Sequence, residues 1–265
     1  MDNETKNNLV EDLAKKVYDD VGAQVAKPTG ELLGLIPRAI KAALAPLEQC
    51  ILQKEYNVAE TKRLLEERLK DVSPESIQPP EAYIAVPALQ YISYCMDNKE
   101  LRNMYANLLA NSMNKAVKNG VHPSFVEIIK QLSPDEAKVL KHMLDKPIVP
   151  TITLRVMNKD DESGVELYKN FSNIGELVGC EMPYDINRYF DNLIRLGLVE
   201  CAPYIISLKN ENLYKDLIEH GFVNALSLDQ LQSLTHKEKY SIGVKKSYIK
   251  LTSYGRSFCE ICLPK

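Results

Sequence analysis

The sequence predicts a mostly α protein: an all-helical N-terminal domain over residues 1–132, followed by an α+β domain of winged-helix type over residues 133–265. Three observations carry that expectation. Apolar residues recur at spacings of three and four through the first half, the pattern of amphipathic helices. After residue 146 the grammar changes to a β-branched run, Pro147-Ile148-Val149-Pro150-Thr151-Ile152-Thr153-Leu154-Arg155-Val156, which fits a strand. The order that follows in the second half is helix, strand, helix, helix, strand, strand, helix, which is that of a winged helix-turn-helix.

The elements follow from the chain in order. Leu9 to Ala26 is amphipathic, with Leu9, Leu13, Val17, Val21 and Val25 on one line, and Lys27-Pro28-Thr29-Gly30 breaks it. Leu32, Ile36, Ile40, Ala43, Leu44, Leu47 and Ile51 make the next stripe, where Pro46 forces a kink or a split. Glu55 to Lys70 is charge-laced, with Val58, Leu65 and Leu69 turned inward. Ser73 to Pro80 is a linker, and a helix then carries Ala85, Leu89, Ile92 and Met96, with Pro87 near its start. Leu101, Met104, Tyr105, Leu108, Leu109, Met113, Ala116 and Val117 line one face of a long helix that leaves Arg102, Asn103, Asn107 and Lys115 on the other. Asn119-Gly120 suits its end. Phe125, Ile128, Ile129 and Leu132 mark a short helix, and Ser133-Pro134-Asp135-Glu136 supplies a cap, a first-turn proline and acids over a positive helix end.

In the second half, Asp160 to Gly164 is a turn and Ser172 to Val178 a short helix. Asp185 to Leu196 is a helix burying Ile186, Tyr189, Phe190, Leu193 and Leu196, ended by Gly197 ahead of a strand at Leu198-Val199-Glu200. Lys246 to Leu251 alternates as a strand, and Thr252 caps a last helix, Ser253 to Cys262. Phe190 to Val199 reads as a recognition helix running into a wing, and Ile249 to Phe258 as the returning wing strand with its helix. The residues from Lys209 to Val244 then enlarge the wing.

Charge is balanced, 33 Lys plus Arg against 36 Asp plus Glu, and neither half has the positive bias of a protein held mainly by phosphates. The N-terminus MDNETKNNLV is acidic and polar, unlike a secretory signal, and no apolar run approaches the roughly 20 residues that span a bilayer. A cytoplasmic protein is expected. Six cysteines without an export signal read as free thiols, and Cys259-Glu260-Ile261-Cys262 as two ordinary helix cysteines, because no second pair or histidine pair stands at zinc spacing.

The run from Pro79-Pro80, through Glu100-Leu101 and Met104 to Ala110, to His122-Pro123-Ser124-Phe125 and Leu132 to Glu136, resembles the bacterial Abi-alpha family. Val21-Gly22-Ala23, Lys27 to Gly30, Gly34 and Pro46 share its pattern, so the resemblance covers Val17 to Leu144. It implies a setting, abortive infection, in which an infected cell dies or stops growing and so limits phage spread. It implies no chemistry and brings no catalytic residue with it.

Function is read from what remains. P-loop, G-x-G-x-x-G, H-E-x-x-H and G-x-S-x-G signatures are missing, and His122, His142, His220 and His236 are dispersed, His122 at a turn where it caps or packs. Asp160-Asp161-Glu162 reads as a solvated turn. No catalytic, cofactor or metal residue is expected, nor a small-molecule substrate, although a nuclease built from distant carboxylates stays open. A non-enzymatic sensor or effector with a protein partner or self-association is the leading reading. The alternative is a winged-helix DNA-binding regulator, with Arg188 and Arg195 on the recognition helix and Lys237, Lys239, Lys245 and Lys246 in the wing, although Asp185 and Asp191 share that helix. A membrane-active toxin acting through residues 31–53 is the second alternative. Arg38 and Lys41 are offset there by Glu31 and Glu48, and no aromatic residue marks the apolar face.

Overall fold

The structure is a computed structural model that describes residues 55–161, 163–202 and 208–263. The expected helices over Leu9 to Ala26 and residues 31–53 lie outside the described residues. The chain divides into two compact units, residues 1–134 with 260–265 and residues 135–259.

In the first unit the described chain begins with α1 (Glu55–Leu69) and continues through α2 (Ala82–Ile92), α3 (Lys99–Met113) and α4 (Ser124–Lys130). Leu64, Leu65 and Leu69 of α1, Ile84, Leu89 and Ile92 of α2, and Met104, Tyr105, Leu108 and Leu109 of α3 are buried together with Phe125 and Ile129 of α4. Asn98 starts α3 by accepting the Leu101 N–H at 3.0 Å. The helix stops at Met113, short of the expected Val117, because the linker competes for its end. Ile77 pairs with Asn114 across an isolated bridge: the Gln78 N–H donates to the Met113 carbonyl at 2.8 Å and the Lys115 N–H to the Ser76 carbonyl at 2.9 Å. Val117, expected inward, is consequently exposed. The tail of the chain, Ile261 to Leu263, is buried in this same unit.

The second unit opens with α5 (Pro134–Asp145) and is built on one curled, four-stranded antiparallel sheet in the order β2-β1-β4-β3. Its strands are β1 (Ile148–Asn158), β2 (Gly164–Phe171), β3 (Val199–Cys201) and β4 (Tyr240–Leu251). The short α6 (Ile174–Leu177) and α7 (Ile186–Arg195) lie between β2 and β3; α8 (Asn212–Ile218) and α9 (Gly221–Ser233) lie between β3 and β4; and α10 (Ser253–Cys262) follows β4. β1 pairs with β4 along its whole length, from Ile148 opposite Lys250 to Asn158 opposite Tyr240. Both faces of β1 are covered: Val149, Thr151 and Thr153 are buried, and so are Ile152, Leu154 and Val156. A strand two residues in period buries both sets only when material packs on both sides of the sheet.

This overturns the expected all-helical domain followed by a winged helix. A wing is a short hairpin of consecutive strands. Here β3 and β4 are separated by two helices, so Lys209 to Val244 is not an enlarged wing, and β4 takes β1 as its long partner. The first unit, besides its helices and isolated bridge, is completed by the last residues of the chain, so it is not a self-contained N-terminal domain. β2 was not expected at all. Its pairing with β1 is interrupted between Ile152 and Leu154 and again between Leu154 and Arg155. These irregularities place extra β2 residues against β1 and scramble the alternation a strand would show. Asn170 sits in one of them with φ of 55°.

The phrases that looked like helix-into-wing and strand-into-helix do meet, by a different device. Gly197, with φ of +72°, ends α7, and the chain turns into β3. The Thr252 hydroxyl donates to the Gly197 carbonyl at 2.7 Å and accepts from the Gly255 N–H at 2.8 Å, capping α10. The Thr252 N–H donates to the Leu198 carbonyl at 3.0 Å. A Cβ on Gly255 would stand 1.9 Å from that same Leu198 oxygen, while one on Gly197 would meet nothing within 4 Å. Gly255→Ala is therefore expected to push α10 off β3 and cost about 3 kcal/mol or more, whereas Gly197→Ala carries only the left-handed backbone penalty of about 1–2 kcal/mol. Urea unfolding of the two variants checks the order, and equal costs or the reverse order refute the close packing.

Candidate functional site

The basic residues expected to form a nucleic-acid face are dispersed. Arg188 and Arg195 lie on the exposed side of α7 with Asp191 between them. Arg188 is tied to Asp185 at 2.5 Å, and the Arg195 guanidinium donates to the Asn192 side-chain oxygen at 2.7 Å. Lys237 and Lys239 stand in a short 3₁₀ turn ahead of β4, where the Lys159 ammonium donates to the Glu238 carbonyl at 2.8 Å. Lys245 and Lys246 are successive in β4 and so point to opposite faces of the sheet. Lys246 pairs with Glu211 and lies 5.7 Å from the centre of the Tyr214 ring. With about 3.3 Å of rise per strand residue, Tyr240, the residue after Lys239, and Lys246 are about 20 Å apart along β4. The six residues are thus spread over the exposed side of α7, a 3₁₀ turn and both faces of β4.

Three polar or aromatic centres went unread in the sequence. The first is at the start of α5. Asp135 and Glu136, expected as acids over a positive helix end, are both buried. The Asp135 carboxylate accepts from the backbone N–H of Glu181 at 2.9 Å and of Met182 at 3.2 Å, from the Tyr189 hydroxyl at 2.9 Å and from the Lys138 ammonium at 3.0 Å. Burial alone would raise its pKa. Lys138, the two N–H groups and Tyr189 outweigh it and hold Asp135 below the ordinary aspartate value. Burial, and then the Asp135 charge, push the neighbouring Cys180 thiol up to about 11, far from a reactive thiolate. Glu136 accepts from the Asn192 amide at 2.9 Å. The two carboxylates thus fasten α5 to α7 and to the 180–182 loop.

The second centre is aromatic. Tyr184 stacks flat on Phe222, centroids 4.4 Å apart and planes 7° apart, and Phe222 in turn contacts Phe171 and Tyr168 at 5.5 Å. Glu176 accepts from the Tyr184 hydroxyl at 2.7 Å and faces His220 Nε2 at 2.9 Å. The Tyr184 hydroxyl first, then His220, hold Glu176 below its ordinary pKa against the opposing pull of burial. His220 Nδ1 accepts the Phe222 N–H at 3.2 Å, capping α9. In the neutral ring that bond assigns the proton to Nε2, which donates it to Glu176. Both nitrogens are spent on structure, and no lone pair is left to take a substrate proton.

The third centre lies in the first unit, on the α3 face opposite the apolar stripe. Asn103, Asn107 and Asn111 follow at steps of four. The Asn107 amide donates to the Cys262 carbonyl at 3.0 Å and the Asn111 amide to the Ile261 carbonyl at 2.7 Å. These are carbonyls at the end of α10, which have no partner within the helix. Arg68 of α1 donates through Nε to the Asn107 oxygen and through a terminal nitrogen to Asn103 at 2.8 Å. Asn107 is 8% exposed. The signal for this face was the four-residue repeat of asparagine itself, a residue poorly suited to solvated helix interiors.

His122 caps as expected: its Nδ1 accepts the Ser124 N–H at 3.2 Å, and its ring lies 5.9 Å from Phe125. Cys95, Cys180, Cys201, Cys259 and Cys262 are free thiols. Among the described residues no group of three or more His, Cys, Asp or Glu side chains is placed to hold a metal ion. No helix among them is long and apolar enough to cross a membrane.

The abortive infection alpha family matches residues 53–262. The chain belongs to that family. The match runs far past Leu144, so the sheet unit is as much part of the family as the helices, while the stretch from Val21 to Pro46 falls outside the matched span. No curated protein matches. A solved structure of an uncharacterized protein from the hydrocarbon-degrading marine bacterium Alcanivorax borkumensis SK2 is 20% identical, covering 56% of this chain and 94% of that one, with a TM-score of 0.36.

Asp135 yields a pH prediction. Its depressed pKa contributes stability that is fully present above the unfolded value of about 3.9 and is lost as pH falls through the lower folded value. Asp135→Asn is expected to cost about 3 kcal/mol at neutral pH, because N–H and O–H donors lose their charged acceptor. It should also flatten the loss of stability that sets in as pH falls below about 5 and continues past the unfolded value of about 3.9. Urea unfolding across that range measures both, and an unchanged acid slope would remove Asp135 as its source.

Proposed function

We propose that the chain defends a bacterial cell against phage through abortive infection, as a cytoplasmic binding effector that engages a protein partner and performs no chemistry of its own. The observation that carries the defence reading is the family match over residues 53–262. The binding reading is supported by what the titratable groups do. Asp135 and Glu136 accept from backbone, Tyr and Asn donors, Glu176 from Tyr184 and His220, and His220 spends both nitrogens on Glu176 and Phe222. A general base needs an acceptor aimed at a substrate, and a nucleophile needs a lowered pKa; Cys180 has a raised one. Dispersal of Arg188, Arg195, Lys237, Lys239, Lys245 and Lys246 argues against DNA as the main partner.

Expression in a phage-sensitive host tests the reading. Plaquing should fall for at least some phages in a diverse panel, with infected cells dying or ceasing growth before they release progeny. Normal plaquing on the whole panel refutes it. Protection in which the infected cells themselves recover and divide refutes the abortive mechanism.

A further inference from the structure

We propose that the face formed by Leu177, Met182 and Tyr184 in the second unit docks a basic amphipathic segment of a partner protein; this rests on the binding reading above. Leu177 is 67% exposed, Met182 56% and Tyr184 40%. The three belong to one surface. Tyr184 is bonded to Glu176, the residue beside Leu177, and α6 packs on the 183–185 turn, next to Met182.

Exposed apolar residues scattered singly need no explanation, but three carried by adjoining segments, one of them a fixed aromatic, do. Tyr184 is held from behind at three points. Its ring lies flat on Phe222, its hydroxyl is bonded to Glu176, and its carbonyl accepts the Tyr168 hydroxyl. Such a side chain loses little entropy when a partner covers it, which is the property of an interface anchor. The 180–182 loop beneath Met182 is equally fixed, its N–H groups bound by Asp135.

Charge at the rim selects the occupant. Glu181 is exposed beside Met182, and Glu176 holds a side chain that is 39% exposed. Asp185 and Arg188 neutralise each other in their ion pair, and so do Asp135 and Lys138, whose ammonium also donates to the Gly179 carbonyl at 2.9 Å. The face thus presents apolar contact flanked by two carboxylates. Its complement is a segment with Leu-like anchors on one side and Lys or Arg at their margin. A second copy of this chain would set the same two carboxylates near their own symmetry mates, a like-charge cost that disfavours it.

The test uses the full chain and two labelled synthetic helical peptides of about five turns, one of Leu and Lys and one of Leu and Glu, followed by fluorescence polarisation. The Leu/Lys peptide should bind saturably and the Leu/Glu peptide should not. The double variant Leu177→Ser with Met182→Ser should weaken binding by about tenfold or more. Glu181→Lys should weaken it and reduce its salt dependence. Leu228→Ser, at an exposed position elsewhere on α9, should leave it unchanged. Circular dichroism confirms that each variant is folded. Equal binding of both peptides, no saturable binding, or equal loss in Leu228→Ser overturns the proposal. So does self-association in sedimentation that the double variant abolishes, since the face would then be a dimer contact. A folded double variant that binds no peptide yet protects cells fully overturns docking as the route of defence and leaves the defence reading standing. Failure of the wild-type chain to protect, with peptide binding intact, does the reverse.

Discussion

Because β1 is hydrogen-bonded on one edge to β2 and along its whole length on the other to β4, and is buried on both faces, it fixes nearly every other element of the second unit. Its two partners both follow it in sequence: β2 after a short turn, β4 only after four helices and β3. That long closure is slow to form and costs loop entropy. The ladder and the apolar contacts on both faces must offset it. Tyr214 shows how the insertion is secured. It is fully buried, donates to the Ser247 carbonyl of β4 at 2.8 Å and accepts the Leu208 N–H at 2.9 Å, so the chain between β3 and β4 is fastened to the very strand it delivers.

A second habit recurs in both units: polar side chains, some local and some distant in sequence, take up backbone groups at helix ends and in the loops beside them. Asp135 gathers two loop N–H groups at the start of α5; Asn107 and Asn111 take up carbonyls at the end of α10; His220 and Thr252 cap α9 and α10. Each bond replaces one to water and adds little net stability, on the order of 1 kcal/mol. Leaving any of these groups unpaired in a buried place would cost more. The effect is to specify where each helix begins or stops rather than to hold the unit together, which the buried Leu, Ile and Phe side chains do.

What could be read from the chain divides along the same line. Helices with clean apolar stripes stand close to where periodicity put them: Glu55 to Leu69, Ser124 to Lys130, Pro134 to Asp145 and Ile186 to Arg195. Thr252 and Gly197 act as their chemistry predicted. The misses have physical causes. β2 lost its alternation to bulges. α3 ended early because the 74–78 linker pairs with Asn114, a contact of long sequence separation that no local pattern contains. The sheet could not be ordered, since propensity identifies a strand without naming its partner. The winged-helix reading joined two true local junctions by the wrong connection. Among the candidate site residues, the basic six were legible as residues, but their dispersal over α7, a 3₁₀ turn and two faces of β4 depends wholly on the fold. The apolar face at Leu177, Met182 and Tyr184 gave no signal, because it is assembled across a short helix and a 3₁₀ turn that share no period.

Rigidity connects these observations to the proposed function. A catalytic carboxylate or imidazole is kept partly unsatisfied so that the substrate completes it, and the fold bears that cost at the active site. Among the described residues, Asp135, Glu136, Glu176 and His220 are completed internally, by backbone N–H, Tyr, Asn, Lys and carboxylate partners. The same bonds that remove Glu176 and His220 from proton transfer hold the Tyr184 ring in place at the surface. A group spent on orientation cannot also serve as a base. The Tyr184 ring, stacked on Phe222, nonetheless stays 40% exposed. Glu176 and His220 thus hold a surface ring in a fixed orientation, and that fixed orientation is the property on which the proposed docking of a partner draws.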